Sequence, residues 1–102
     1  MHIVVLGTGM IGTTVVSELA KFSEIDVITA VDVRQESIDK CLEIANSPKV
    51  TGKVASLETI DDIAEVLTGV DVAVACLPHS LSLVAIKAAI ESSCHLADLV
   101  GS

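Results

Sequence analysis

Aromatic residues are nearly absent: Phe22 is the only Phe, Tyr or Trp among 102 residues. The chain therefore has no stacking platform for nucleic-acid bases, and its core must be built from Ile, Val, Leu and Ala in tight layers of helix on sheet. Basic residues are also scarce, 6 against 14 acids, for a formal net charge of −8. Nothing resembles the Lys/Arg cluster that displaces counterions from a duplex or binds an anionic membrane, so neither partner is expected. No apolar run approaches the roughly 20 residues of a spanning helix. Met1 to Leu6 lacks the basic and apolar regions of a signal peptide. Proline and glycine are few, 2 and 6, while 51% of residues are apolar and 20% charged; disordered, collagen-like and low-complexity classes are excluded. Cys41, Cys76 and Cys94 are an odd, widely spaced set without metal-ligand spacing. They are too few and too widely spaced for a disulfide framework, and a reduced cytoplasmic setting is expected. The length suits one domain.

Short β-branched runs alternate with helical periods. His2 to Leu6 reads as a strand, and Ile11, Val15, Val16 and Leu19 form one face of a helix ending near Lys21-Phe22. Asp26 to Val33 reads as a second strand; Ile38, Cys41, Leu42 and Ala45 mark a second helix that stops before Pro48. Thr51-Gly52 looks like a turn, with a short third strand at Lys53 to Ser56. Thr59 followed by Asp62 resembles a capping box for a helix bearing Ile60, Ile63, Ala64 and Leu67, closed by Gly69. Asp71 to Leu77 is a fourth strand, apolar enough for burial on both faces, and Pro78 ends it. Ser80 is placed to cap a helix running to about Ser92. Cys94 to Leu99 is a fifth strand. Strands separated by helices pair in parallel through right-handed crossovers. The expected fold is an α/β, Rossmann-like doubly wound sheet of about five strands in order 3-2-1-4-5, helices on both faces. The fifth strand, without a sixth neighbour, offers an open edge for pairing with a second copy.

Gly7-Thr8-Gly9-Met10-Ile11-Gly12 is G-x-G-x-x-G. It follows a predicted strand and opens a predicted helix, and Asp32 ends the next strand 20 residues beyond Gly12; together these conditions raise a weak motif to a dinucleotide fingerprint. Gly7 permits the sharp turn, Gly9 lets the backbone approach a pyrophosphate, and Gly12 allows close packing of the helix. The helix start supplies unpaired N–H groups and the positive dipole end. Asp32 would accept from both hydroxyls of the adenosine ribose. A carboxylate there repels a 2′-phosphate and favours NAD; Arg34, just past Val33, could hold that phosphate if Asp32 turned away, so NADP stays open.

Cys76-Leu77-Pro78-His79-Ser80 follows the fourth strand, beside the point where strand order reverses, and faces the cofactor crevice. His79 reads first as an exposed loop imidazole, and His2 and His95 as packing or solvent contacts. Cys76 reads as a small buried hydrophobe in its strand, without a partner base. Ser56 and Leu57 are placed to line an adenine pocket. Asp61, Asp62 and Glu65 form a solvated helix face with favourable dipole placement.

The segments Met1 to Gly12, Val31 to Arg34, Gly69 to Pro78 (G-V-D-V-A-V-A-C-L-P), Ala85 to Ser92 (A-I-K-A-A-I-E-S) and His95 to Asp98 together resemble the N-terminal cofactor domain of saccharopine dehydrogenase-like oxidoreductases, a group that includes the lysine 6-dehydrogenases. The glycine motif is common to all dinucleotide folds; the fourth strand and the helix after it are more particular. The resemblance implies a nicotinamide cofactor held by Gly7, Gly9, Met10, Ile11, Gly12 and Asp32, with Val33 and Arg34 at the ribose end and the Leu77-Pro78 loop beside it. It implies hydride transfer at an amine-bearing carbon in amino-acid metabolism. It also implies a large second domain that binds the amino-acid substrate and carries most catalytic side chains. Residues 1–102 are accordingly expected to form the dinucleotide-binding domain without the substrate domain, binding cofactor but turning over nothing alone, and no catalytic residue is assigned. A stand-alone nucleotide-sensing module, similar to the regulatory domains of potassium transport systems, would share the glycine loop and ribose acid. The Leu77-Pro78 loop and the A-I-K-A-A-I helix argue against it.

Overall fold

The computed structural model describes residues 1–99. The elements run β1 (His2–Leu6), α1 (Met10–Leu19), β2 (Val27–Asp32), α2 (Gln35–Ala45), β3 (Val50–Val54), α3 (Ile60–Val66), β4 (Val72–Ala75), a 3₁₀ turn (His79–Leu81), α4 (Ser82–Glu91) and β5 (His95–Asp98). All strand pairs are parallel, in the order β3-β2-β1-β4-β5, as the alternation of strands and helices predicts.

Side-chain alternation along the central strand divides the core into two layers. Val4 and Leu6 pack with Val31, Ala73 and Ala75 against Ile63 and Leu67 near α3 and against Ala85, Ala88 and Ala89 of α4. Ile3 and Val5 point the other way, packing with Ile28, Ala30 and Val74 against Val16 of α1 and Cys41 of α2. Val4, Val5 and Leu6 are at most 1% exposed, which explains an unbroken apolar run where a one-sided sheet would alternate. Fully burying each such side chain contributes roughly 1.5–3 kcal/mol. The small Ala residues of α4 let that helix lie close to the sheet without an aromatic filler, and Phe22 stays largely exposed.

The chain moves from β1 to β2 in one direction and reaches β4 on the other side of β1. The loops after β1 and β4 therefore diverge and leave a crevice at their carboxyl ends. The last rungs holding its walls are the Gly7 N–H to the Val31 carbonyl, 2.7 Å, and the Cys76 N–H to the Leu6 carbonyl, 2.8 Å.

Three local expectations are corrected. Thr51-Gly52 is not a turn but the middle of β3, and the strand begins at Val50 rather than Lys53. Gly52 is there for clearance, because a Cβ would collide with the Ile38 side chain of α2 packed over it. Ser80 does not cap α4: it lies inside the 3₁₀ turn, closed by the Leu81 N–H to the Pro78 carbonyl at 2.9 Å, and α4 starts at Ser82 without a side-chain cap. Cys76 lies just past β4, half-buried, rather than within the strand. By contrast, the Thr59 hydroxyl accepts from the Asp62 N–H at 3.1 Å, and Gly69 turns the chain after α3 with φ +75.

Ser93 follows α4 with φ 53. The left-handed region costs an L-residue about 1 kcal/mol that glycine avoids. Ser93 is exposed, so Ser93→Gly should stabilise the chain by roughly 0.5–1 kcal/mol, read as a Tm increase of about 3–6 °C.

Candidate functional site

The three loop glycines answer to three different constraints. Gly7 has φ +95, and a Cβ on it would lie 2.5 Å from the Cys76 carbonyl oxygen, so both conformation and space require glycine. A Cβ at Gly12 would overlap the Gly7 carbonyl oxygen, far inside van der Waals contact distance. The close packing at Gly12 is therefore of α1 on its own loop. At Gly9 no protein atom comes within 4 Å of a Cβ: that side of the loop is open.

Gly9 is also the N-cap of α1, with no side-chain cap and no acid in the first turn. The first intrahelical rung is the Thr13 N–H to the Gly9 carbonyl at 2.9 Å. The N–H groups of Met10, Ile11 and Gly12 thus precede any intrahelical acceptor, at the positive end of the helix dipole. Such an end suits an anion held by backbone alone.

Asp32 closes β2 across from this loop. Its Oδ2 accepts from the Thr8 N–H at 2.8 Å and the Thr8 hydroxyl at 3.0 Å; its Oδ1 accepts from the Arg34 N–H at 3.1 Å. Burial, the largest influence, pushes the carboxyl pKa up, but the donors from Thr8, Arg34 and Val33 together outweigh it and hold the group below the ordinary Asp value. Asp32 is consequently ionised at neutral pH. Since its folded pKa is depressed, its stabilising contribution is complete above the unfolded value of about 3.9 and is lost as pH falls through the folded one. Urea midpoints measured from neutrality down to about pH 2.5 should fall along this acid limb, and Asp32→Asn should flatten it.

Gly7, Gly9, Asp32, Val33, Leu77 and Pro78 line one cleft of about 350 Å³, together with Leu57, Glu58, Cys76 and Leu81. Six of the ten residues singled out in the sequence thus meet at the switch point. Met10 is 88% exposed beside it and lines a larger recess, about 620 Å³, that runs between α1 and α2 past Thr13, Ser17, Ser37 and Lys40. The smaller cleft is the one flanked by the open amides and the carboxylate. Ile11 is exposed on the first turn of α1, Gly12 is buried beneath it, and Arg34 is exposed, its guanidinium donating to the Ser37 hydroxyl at 3.3 Å. Of the adenine-pocket pair, Leu57 lines the cleft and Ser56 does not.

Sequence reasoning missed Thr8, Glu58 and Leu81. A hydroxyl residue at the first variable position of the glycine motif was the available signal for Thr8; Leu81 enters only through the 3₁₀ turn. His79 and His95 are exposed, and His2 pairs with the Thr29 hydroxyl at 2.9 Å. Burial pushes the Cys76 thiol up, with the Asp98 charge adding to it, so it is not a ready nucleophile. Among the described residues no group of three His, Cys, Asp or Glu side chains is placed to hold a metal, and no helix is long and apolar enough to cross a membrane.

A doubly wound parallel sheet with an uncapped glycine-loop helix and an acid at the end of the second strand defines the class of Rossmann-like dinucleotide-binding domains. The chain belongs to the saccharopine dehydrogenase NADP binding domain family, whose sequence profile matches residues 3–101. Its fold is similar to that of saccharopine dehydrogenase (L-Glu forming) from Saccharomyces cerevisiae: TM-score 0.78, 18% identity, covering 95% of this chain and 21% of that one. Quinate dehydrogenase from Corynebacterium glutamicum, solved with NAD, aligns at TM-score 0.67 and 14% identity over 93% of this chain and 43% of its own. Scyllo-inositol dehydrogenase from Lactobacillus casei, solved with NAD(H), aligns at TM-score 0.71 and 18% identity over 96% of this chain and 27% of its own. The chain thus spans less than half the length of each of these structures.

Proposed function

We propose that this chain is the cofactor-binding part of an NAD(P)-dependent oxidoreductase acting on an amino acid at an amine-bearing carbon. The observation that carries the cofactor site is the open side of Gly9 at the uncapped start of α1, facing Asp32 across the 350 Å³ cleft. Space without a Cβ, free amides and a fixed carboxylate fit a dinucleotide: diphosphate on the amides, ribose on the acid. When bound, the nicotinamide supplies the hydride acceptor or donor.

In this reading the backbone of Gly9, Met10, Ile11 and Gly12 holds the pyrophosphate. Thr8 already occupies Asp32 Oδ2 with two donors, so a ribose hydroxyl meets Oδ1 instead of both oxygens sharing the diol. Val33 and Leu57 flank the adenosine end, and Leu77 and Pro78 wall the other side of the crevice. Asp32, ionised and turned into the cleft, favours NAD; Arg34 is the residue available to a 2′-phosphate, in keeping with the family's NADP designation. Calorimetric titration with ADP-ribose, NAD and NADP tests the site. ADP-ribose and NAD should bind, NADP more weakly; no binding by any of the three would overturn the reading.

The amino-acid substrate and the catalytic acid or base are assigned to a second domain, in line with the greater length of the structural relatives. Assay of the longer protein with a panel of amino acids and both cofactors tests this. The unpaired outer edge of β5 among the described residues supports pairing with a second copy, which sedimentation at high concentration would reveal. Three free thiols support a cytoplasmic location, to be checked by fractionation.

A further inference from the structure

We infer that Thr8 is the positioning residue that sets the choice between NAD and NADP, by locking the Asp32 carboxylate into the ribose cleft. The inference rests on the dinucleotide reading above and adds a residue that the glycine fingerprint treats as variable.

Thr8 is only 4% exposed, a buried hydroxyl in a loop otherwise made of glycine. Both of its donors, the N–H and the Oγ1–H, converge on one atom, Asp32 Oδ2, at 2.8 and 3.0 Å. The loop and the end of β2, 24 residues apart in sequence, are thereby tied through the carboxylate itself. The tie is anchored from behind: the Thr13 hydroxyl of α1 donates to the Thr8 carbonyl at 3.0 Å in a buried contact. Thr8 is thus held at its carbonyl by α1 while it holds Asp32 by its other two polar groups. On the far side, the Arg34 N–H fixes Oδ1 at 3.1 Å.

The consequence concerns rotation of the carboxylate. Binding a 2′-phosphate, with a charge of about −1.5 to −2, requires Asp32 to swing out of the cleft so that Arg34 can turn in. Swinging out breaks both Thr8 bonds, each to an ionised acceptor and so stronger than a neutral pair. An Asp at this position without the hydroxyl would keep one of the two and turn more easily. The discrimination therefore belongs to the Thr8–Asp32 pair rather than to the acid alone.

The test compares full chains carrying Thr8→Val, which keeps the shape and removes the donor, and Thr8→Ser, which keeps the donor. Kd is measured for NAD, NADP and ADP-ribose, and the Asp32 carboxyl is titrated by ¹³C NMR. Thr8→Val should lower the Kd(NADP)/Kd(NAD) ratio about fivefold and raise the Asp32 titration midpoint, and Thr8→Ser should restore both. Thr8→Ala gives up the same donor without bulk and should shift both in the same direction, which keeps the test intact if valine does not fit. Binding by the unmodified chain with a ratio and an Asp32 titration that no Thr8 variant changes would overturn the role of Thr8 and leave the cofactor site standing. No binding of any of the three nucleotides to the unmodified chain would overturn the dinucleotide reading, and this inference with it.

Discussion

Gly9→Val should fold like the unmodified chain yet lose dinucleotide affinity by about 100-fold or more, roughly 2.7 kcal/mol. The two halves of that result have separate causes. Gly9 has φ −69 and ψ −162, extended backbone open to any residue, and a Cβ there meets no protein atom within 4 Å. The remaining cost is replacement of glycine by a poor N-cap residue, about 1 kcal/mol. The space a branched side chain would fill is the approach to the amides of Met10, Ile11 and Gly12. A diphosphate pushed off them loses charge-assisted hydrogen bonds worth roughly 1.5–3 kcal/mol each. Thermal unfolding beside calorimetric titration separates the two effects. Retained affinity in a folded Gly9→Val chain would place the diphosphate elsewhere.

Gly12→Ala should do the reverse and damage the fold first. Its added methyl collides with the Gly7 carbonyl, a backbone atom at the end of β1 held in the sheet by the 2.7 Å bond from the Gly7 N–H to Val31. A flexible side chain could rotate aside; here α1 itself must lift from its loop. Overpacking of this kind costs about 3 kcal/mol, a large share of the roughly 5–15 kcal/mol that holds a domain together. The expected fall in Tm is about 15 °C, measured by calorimetry or circular dichroism. A fall of only a few degrees would mean that the loop and helix start yield more easily than their packing implies. The motif assigns Gly9 and Gly12 different tasks, and the pair of variants distinguishes ligand clearance from helix packing.

Much of this architecture is legible in residue order alone. Strand and helix periods are properties of consecutive side chains, so the five strands, the four helices and the Thr59 cap emerge from local patterns. The continuous apolar character of Ile3 to Leu6 signals a strand covered on both faces, which is where β1 lies. The order 3-2-1-4-5 is the one expected of a doubly wound dinucleotide fold, and with it comes the crevice beside the glycine loop. Tertiary structure decided the rest, because clearances and hydrogen-bond partners depend on elements far apart in the chain. Gly52 reads as a turn until Ile38 of α2 is seen packed over it. Ser80 reads as a cap until the 3₁₀ turn absorbs it. Asp32 reads as free to grip a sugar with both oxygens until Thr8, brought to it by the pairing of β1 with β2, takes one of them. Periodicity reports which way a side chain faces, whereas only the packed sheet and helices determine what it meets there.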